Sequence, residues 1–222
     1  MSQKPNILTI IPARGGSKRL PGKNIKELNG KPLMAYSIEY AQKHIKGDLV
    51  VSTDDEKIAQ IAQQYGAEVL ISPAHIAQDD TPTTDVLSQV LLSAEKEYDF
   101  VVLLQPTNPL RPENLFQEAW SLLQKEGESS LLTVSLNQHK LGKIKGNHFR
   151  PHTYQFGQRS QDLEPLYYEN GLLYIAAASL VKSGVLMDEN SIAMPIDHPY
   201  ATVDIDDETD WQWAEFLIQK EQ

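Results

Sequence analysis

The sequence predicts an α/β fold, a doubly wound and mostly parallel sheet, and three observations carry that prediction. Short β-branched apolar runs alternate with helix-length segments through the first 135 residues, and strands so separated pair in parallel through right-handed crossovers. Segments 13–24, 52–55 and 105–111 are polar and each follows a predicted strand, at the carboxyl edge where such sheets bind ligands. At 222 residues the chain is long enough for one α/β core with a small addition.

In order, "NILTIIP" (6–12) reads as a buried strand, short, β-branched and ended by proline. "PLMAYSIEYAQKH" (32–44) opens with proline just inside a helix start and repeats apolar residues at three-to-four spacing. "DLVVST" (48–53) is a strand and "DEKIAQIAQQYG" (55–66) a helix closed by Gly66. The strand "AEVLIS" follows, then a helix over 82–97, the very hydrophobic strand "DFVVLLQP", a helix over 112–127 and the strand "SLLTVS" (130–135). Residues 137–170 break this rhythm: they are polar and turn-rich, and form an expected extension, a dimerisation arm. His139, His148 and His152 within it fit no standard metal-ligand spacing. Order returns with "GLLYIAAASLVKSG", "YATVDID" and a helix near 207–219, so residues 1–136 and 171–222 are expected to form the core.

Composition narrows the function classes. Hydrophobic residues make up 41% and charged residues 23%, ordinary for a globular chain. No apolar stretch approaches bilayer length, "MSQKPN" lacks a signal-peptide layout, and there is no cysteine for disulfide or thiolate chemistry. A cytoplasmic protein without a membrane partner is the expectation. The net charge of −10 argues against a nucleic-acid partner. Its distribution is uneven: Arg14 to Lys31 holds six basic residues and one acid, whereas Asp162 onward holds thirteen acids against two lysines. One end suits an anion and the other a cation.

"IIPARGGSKRLPGKN" (10–24) is the anion candidate. It is not a Walker A loop, because five residues separate Gly16 from Gly22 and Lys23 is followed by Asn24 instead of a hydroxyl residue. Nor does GxGxxG occur. What remains is a strand, a Gly15–Gly16 turn that bares backbone N–H groups, and Arg14, Lys18, Arg19 and Lys23 around it, a combination able to hold a polyphosphate. In "VDID", strand alternation would turn Asp204 and Asp206 to one face, close enough to share a metal. The competing reading is that Asp206 or Asp207 caps the last helix. Asp54 and Asp55 suggest either a metal pair or a helix cap, the cap being favoured for Asp55.

"PARGGSKRLPGKN" resembles the signature of the acylneuraminate cytidylyltransferases, the CMP-sialic acid synthetases and their relatives. The similarity extends in order through "LNGKPLMAYSIE", "VVSTDDEKIA", "LLQPTNPLR", "ENGLLYI" and "VDIDDETD", nearly the whole chain. The resemblance implies a nucleotide-diphospho-sugar transferase-like fold, a homodimer, and magnesium-dependent coupling of CTP to an acidic nine-carbon sugar of the N-acetylneuraminate, legionaminate or KDN type. It implies nucleotide-binding roles for Arg14, Gly15, Gly16, Ser17, Lys18, Lys23 and Asn24, and sugar-binding roles for Gln105, Thr107, Arg159 and Asn170. Asp204 and Asp206 become the implied magnesium ligands, and Arg14, Lys18, Lys23 and Asp206 the implied catalytic groups. Many relatives carry arginine where this chain has Ser72, which leaves one nucleotide contact to be replaced. A related enzyme acting on Kdo or a sugar phosphate, which "QPTNPLR" disfavours, and a silent nucleotide-binding protein are the alternatives.

Overall fold

Strand β1 (Ile7–Pro12) occupies the middle of a seven-stranded sheet, with Ile7 and Ile11 facing one apolar layer and Leu8 and Ile10 the other. A strand apolar on both faces is what a parallel sheet covered by helices requires. The computed structural model describes residues 4–73, 76, 78 and 80–220. After β1, the two-residue strands β2 (Glu27–Leu28) and β3 (Lys31–Pro32) form a separate small ladder. β4 (Asp48–Thr53) lies parallel to β1 and carries the edge strand β5 (Glu68–Ile71), also parallel. β6 (Phe100–Leu103) flanks β1 in parallel on the other side. β7 (Ser130–Asn137) leads into an exposed hairpin of β8 (Gly142–Lys145) and β9 (His148–Pro151). β10 (Leu166–Ala177) returns antiparallel between β6 and β7, and β11 (Ile192–Pro195) closes the edge parallel to β7. The order is β11-β7-β10-β6-β1-β4-β5.

Helices α1 (Leu33–His44), α2 (Glu56–Gln64) and α4 (Leu115–Glu126) bury Met34, Ile38, Ile58, Ala62, Phe116 and Leu123 against one face. α3 (Thr83–Ser93) and α5 (Ala178–Lys182) bury Leu87, Val90, Leu91 and Val181 against the other. A third apolar cluster joins Leu20, Leu28 and Leu33 to Val203, Ile205 and Trp211, the last from α6 (Glu208–Lys220). Chain segments nearly two hundred residues apart are thereby held together.

The sheet is mostly parallel, as expected, with β10 inserted antiparallel. Two expectations change. The return from the extension begins at Leu166, four pairs earlier than the composition suggested, since Leu166 to Glu169 already pair with Asn137 to Val134. Residues 203–206 form no strand: a 3-10 turn at Pro199–Thr202 precedes them. Alternation survives there, with Val203 and Ile205 fully buried, and it is that burial which turns Asp204 and Asp206 outward.

Candidate functional site

The carboxyl ends of β1, β4, β5 and β6 surround an open cleft of about 260 Å³, lined by Arg14, Ser52, Asp54, Ser72, Gln105 and Thr107 among others. This is the switch point of the sheet, with β4 on one side of β1 and β6 on the other. All three polar segments picked from the sequence meet here.

The loop after β1 is built on its glycines. A Cβ on Gly15 would lie 2.8 Å from both Cβ and Oδ2 of Asp55, so only glycine lets the loop cross the start of α2. Asp55 is the N-cap of that helix, accepting from the backbone N–H of Lys57 and Ile58. Asp54 turns the other way and accepts from the Gly15 N–H at 2.8 Å. Gly16 has nothing within 4 Å of a built Cβ, leaving its backbone open. Ser17 donates its N–H to the Gly15 carbonyl at 3.0 Å, tightening the turn, and Lys18 is exposed beyond it. Asn24 is buried and donates to the Arg14 carbonyl at 2.9 Å, so it steadies the loop after β1 through the backbone of Arg14.

Lys23 is buried, an unusual place for an ammonium group. Its Nζ donates to the Ile205 carbonyl at 2.6 Å and to Asp206 Oδ1 at 3.1 Å. Arg19 reaches the other oxygen of Asp206 at 2.9 Å, and Lys26 pairs with Glu208. The cationic turn and the acidic tail thus form one surface.

Asp207 and Asp210 settle the helix-cap question. Asp207 accepts from the N–H of Thr209 and Asp210, and Asp210 accepts in return from the N–H of Asp206 and Asp207. The side chains of Asp204 and Asp206 are not used for capping. Asp204 is accessible at the surface, yet the protein around it strips its carboxyl of solvation and raises its pKa. Thr107 opposes the rise by hydrogen bonding, Asp206 adds to it, Lys23 opposes and Asp210 adds again.

Residues 8–191 match a family model described as cytidylyltransferase. The chain belongs to the cytidylyltransferase family. It is 35% identical to a CMP-N,N'-diacetyllegionaminic acid synthase from Legionella pneumophila, over 97% of each chain. A pseudaminic acid cytidylyltransferase from Campylobacter jejuni is 31% identical over 96% of each. An N-acylneuraminate cytidylyltransferase from Escherichia coli is 31% identical over 98% of this chain and 53% of its own length. A structure of CMP:2-keto-3-deoxy-manno-octonic acid synthetase complexed with CTP shares the fold, with TM-score 0.74 over 98% of this chain and 100% of that one at 16% identity. The protein is a CTP-dependent nucleotidyltransferase.

In this cytidylyltransferase the loop after β6 is anchored by residues that the sequence did not single out. Asn108 donates to the carbonyls of Asn170 at 2.9 Å and Val203 at 2.8 Å, while the Ile205 N–H donates to the Thr107 carbonyl. One asparagine therefore ties the Gln105–Thr107 segment to β10 and to the aspartate pair; its place between Pro106 and Pro109 was the available signal. Arg111, which follows in the same loop, is buried. It donates to the Leu172 carbonyl, the Ser37 hydroxyl and the Gln105 carbonyl. Burial draws its pKa down to about 9, and the ring of Tyr40 favours the charged form.

Asn170 is buried with its side chain engaged inside the sheet, accepting from the Thr133 hydroxyl at 2.6 Å and donating to the Ser135 hydroxyl. It supports the site's frame from within. Arg159 is exposed on the extension, gripped bidentately by Asp162 at 2.7 and 2.9 Å, and does not line the cleft. Tyr174 donates to Glu169 and its phenol is pushed up by burial, with Glu169 and Asp204 adding to the effect. Tyr167 and Tyr168 are exposed. Ser72 is buried against Ser52 and Gln89.

Proposed function

We propose that this enzyme couples CTP to a nonulosonic acid, an acidic nine-carbon sugar, giving the CMP-sugar and pyrophosphate with magnesium as cofactor. The legionaminic, pseudaminic and neuraminic acid specificities named for relatives at 31–35% identity support the sugar class. The observation that carries the site is the pairing of buried Lys23 with the half-exposed Asp206, which sets the cationic turn beside the two aspartates.

In the reaction the anomeric hydroxyl oxygen attacks the α-phosphorus in line. The bond to the bridging oxygen breaks, pyrophosphate leaves with that electron pair, and the hydroxyl proton is lost. Arg14, Lys18 and Lys23, with the Gly15–Gly16 backbone, hold the triphosphate and stabilise the charge that develops on the departing group. Gln105 and Thr107 line the same cleft and orient the sugar hydroxyls. Asp204 and Asp206 fit a magnesium ion: they are hard oxygen donors, and a divalent cation would favour the charged form of Asp204 against the lost solvation, and secondarily the neighbouring Asp206, that raise its pKa. Bound there, magnesium would neutralise phosphate charge.

Arg159 would reach a sugar carboxylate from a neighbouring subunit's arm, so the homodimer belongs to the same reading. No helix among the described residues is long and apolar enough to cross a membrane. A CTP-consuming reaction and a cysteine-free chain suit the cytoplasm.

A pyrophosphate-release assay tests the proposal. Four nucleoside triphosphates are crossed with N-acetylneuraminate, N,N'-diacetyllegionaminate, pseudaminate, KDN and Kdo, with and without magnesium. Turnover is expected only with CTP, magnesium and a nine-carbon acid. Asp206→Ala should lower kcat by about 100-fold or more, the loss typical of one group that stabilises transition-state charge, without changing the far-ultraviolet circular dichroism. Turnover with Kdo alone, or near-parent rates in Asp206→Ala, would refute it.

A further inference from the structure

The cleft is charged where Arg14 and Asp54 meet it and neutral where Ser52, Ser72, Thr83 and Val86 meet it. A nucleoside triphosphate lying in it has its phosphates at the first end and its base at the second. At the neutral end two buried hydroxyls touch: Ser52 Oγ and Ser72 Oγ are 2.6 Å apart. Ser72 Oγ is also 3.2 Å from Gln89 Oε1, which projects from α3.

The direction of these bonds follows from counting protons. A carbonyl oxygen only accepts, and a serine hydroxyl has one proton to give. The Ser72 proton is therefore committed to Gln89, and the proton between the two serines is the one on Ser52. Both protons are consumed inside the wall. What the pair can offer a ligand is lone pairs.

From this we infer that Ser52, Ser72 and Gln89 form a polarised hydroxyl relay that accepts the exocyclic amino group of cytosine and so selects CTP over UTP. At the same position uracil carries a carbonyl oxygen, which would face another acceptor with no proton between them. This chain thus reads its base with a relay of neutral groups. Ser52 and Ser72 are the reading groups. Gln89 is a positioning residue that acts by fixing the Ser72 proton. The inference rests on CTP being the nucleotide substrate.

Calorimetric titration of the full chain with CTP and with UTP, in the presence of magnesium, tests it without any acceptor sugar. The parent should prefer CTP. Ser72→Ala and Gln89→Leu should each narrow the CTP-to-UTP ratio of Kd values by about tenfold, the weight of one hydrogen bond. Gln89→Glu keeps an acceptor and should retain the ratio. If Ser72→Ala fails to fold, the Gln89 pair, at a half-buried position, still decides the matter. A parent-like ratio in Gln89→Leu, or a lost ratio in Gln89→Glu, overturns the relay alone. Failure of the parent to bind CTP would overturn both the relay and the nucleotide reading beneath it.

Discussion

Asp204 shows how the site is built against the stability of the fold. Its carboxyl is raised first by lost solvation and further by Asp206 and Asp210, with Thr107 and Lys23 only partly opposing. A carboxyl whose folded pKa lies above its unfolded one holds its proton more tightly when folded. Stability therefore falls as pH rises from the ordinary carboxylate value through the raised one, and the deficit persists above it. Asp204→Asn is expected to raise the Tm of the metal-free protein at neutral pH, and the gain should fade as pH is lowered toward ordinary carboxylate values. Differential scanning calorimetry across that range checks this; a Tm loss at neutral pH would contradict it. Lys23 was legible as part of a cationic glycine turn, and Asp204 and Asp206 through the alternation in "VDID" together with the resemblance; the structure sets the three near one another. Arg111 was not legible. Its acceptors are two carbonyls and a serine hydroxyl, and nothing in "NPLRPE" marks them.

β10 is the element on which the site turns. Its register shifts between Glu169 and Tyr174, and Gly171 in that bulge has φ 76°. A Cβ there would sit 2.5 Å from Asn108 Oδ1 and 2.8 Å from Gln105 Oε1. The bulge brings β10 against the loop that carries Gln105, and only glycine permits both the backbone conformation and the approach. Gly171→Ala is expected to cost about 1–3 kcal/mol of unfolding free energy in urea titration and to raise KM for the sugar as Gln105 is displaced, with Kd for CTP unchanged. An unaltered sugar KM would show that Gln105 is not held by this contact. From sequence, "ENGLLYI" announced a strand and a glycine but not the direction of pairing. Antiparallel insertion depends on where the extension returns the chain, and a turn-rich segment does not declare that. The strands around β1 were legible for the opposite reason, since their order follows from local alternation with helices. "VDID" lies between, its inside-outside alternation correct although no ladder forms.

At the scale of the whole molecule, two apolar surfaces have different roles. The cluster of Leu20, Leu28, Val203, Ile205 and Trp211 is internal and fastens the front of the chain to its tail, so the cationic turn and the aspartates share one support. The other lies on the extension, where Ile144 is 79% and Phe156 71% exposed, with Leu141 and Phe149 beside them. Phe149, Tyr154 and Phe156 form a ring cluster there, and no residue from 137–165 belongs to the three cores. Apolar surface of that kind, on an element that the core does not need, is the expected signature of a partner. In the proposed homodimer it would meet a second copy and bring Arg159 toward the neighbour's cleft. Ile144→Glu combined with Phe156→Glu should convert a dimer to a monomer in analytical ultracentrifugation while the Tm falls little, because the substituted side chains leave the cores untouched. The same variant should bind CTP normally but show a raised KM for the acidic sugar, since the second subunit's arginine is lost. A parent that sediments as a monomer at micromolar concentration would remove the arm from the active site, and Arg159 with it, while the single-chain cleft of Lys23, Asp204 and Asp206 would stand.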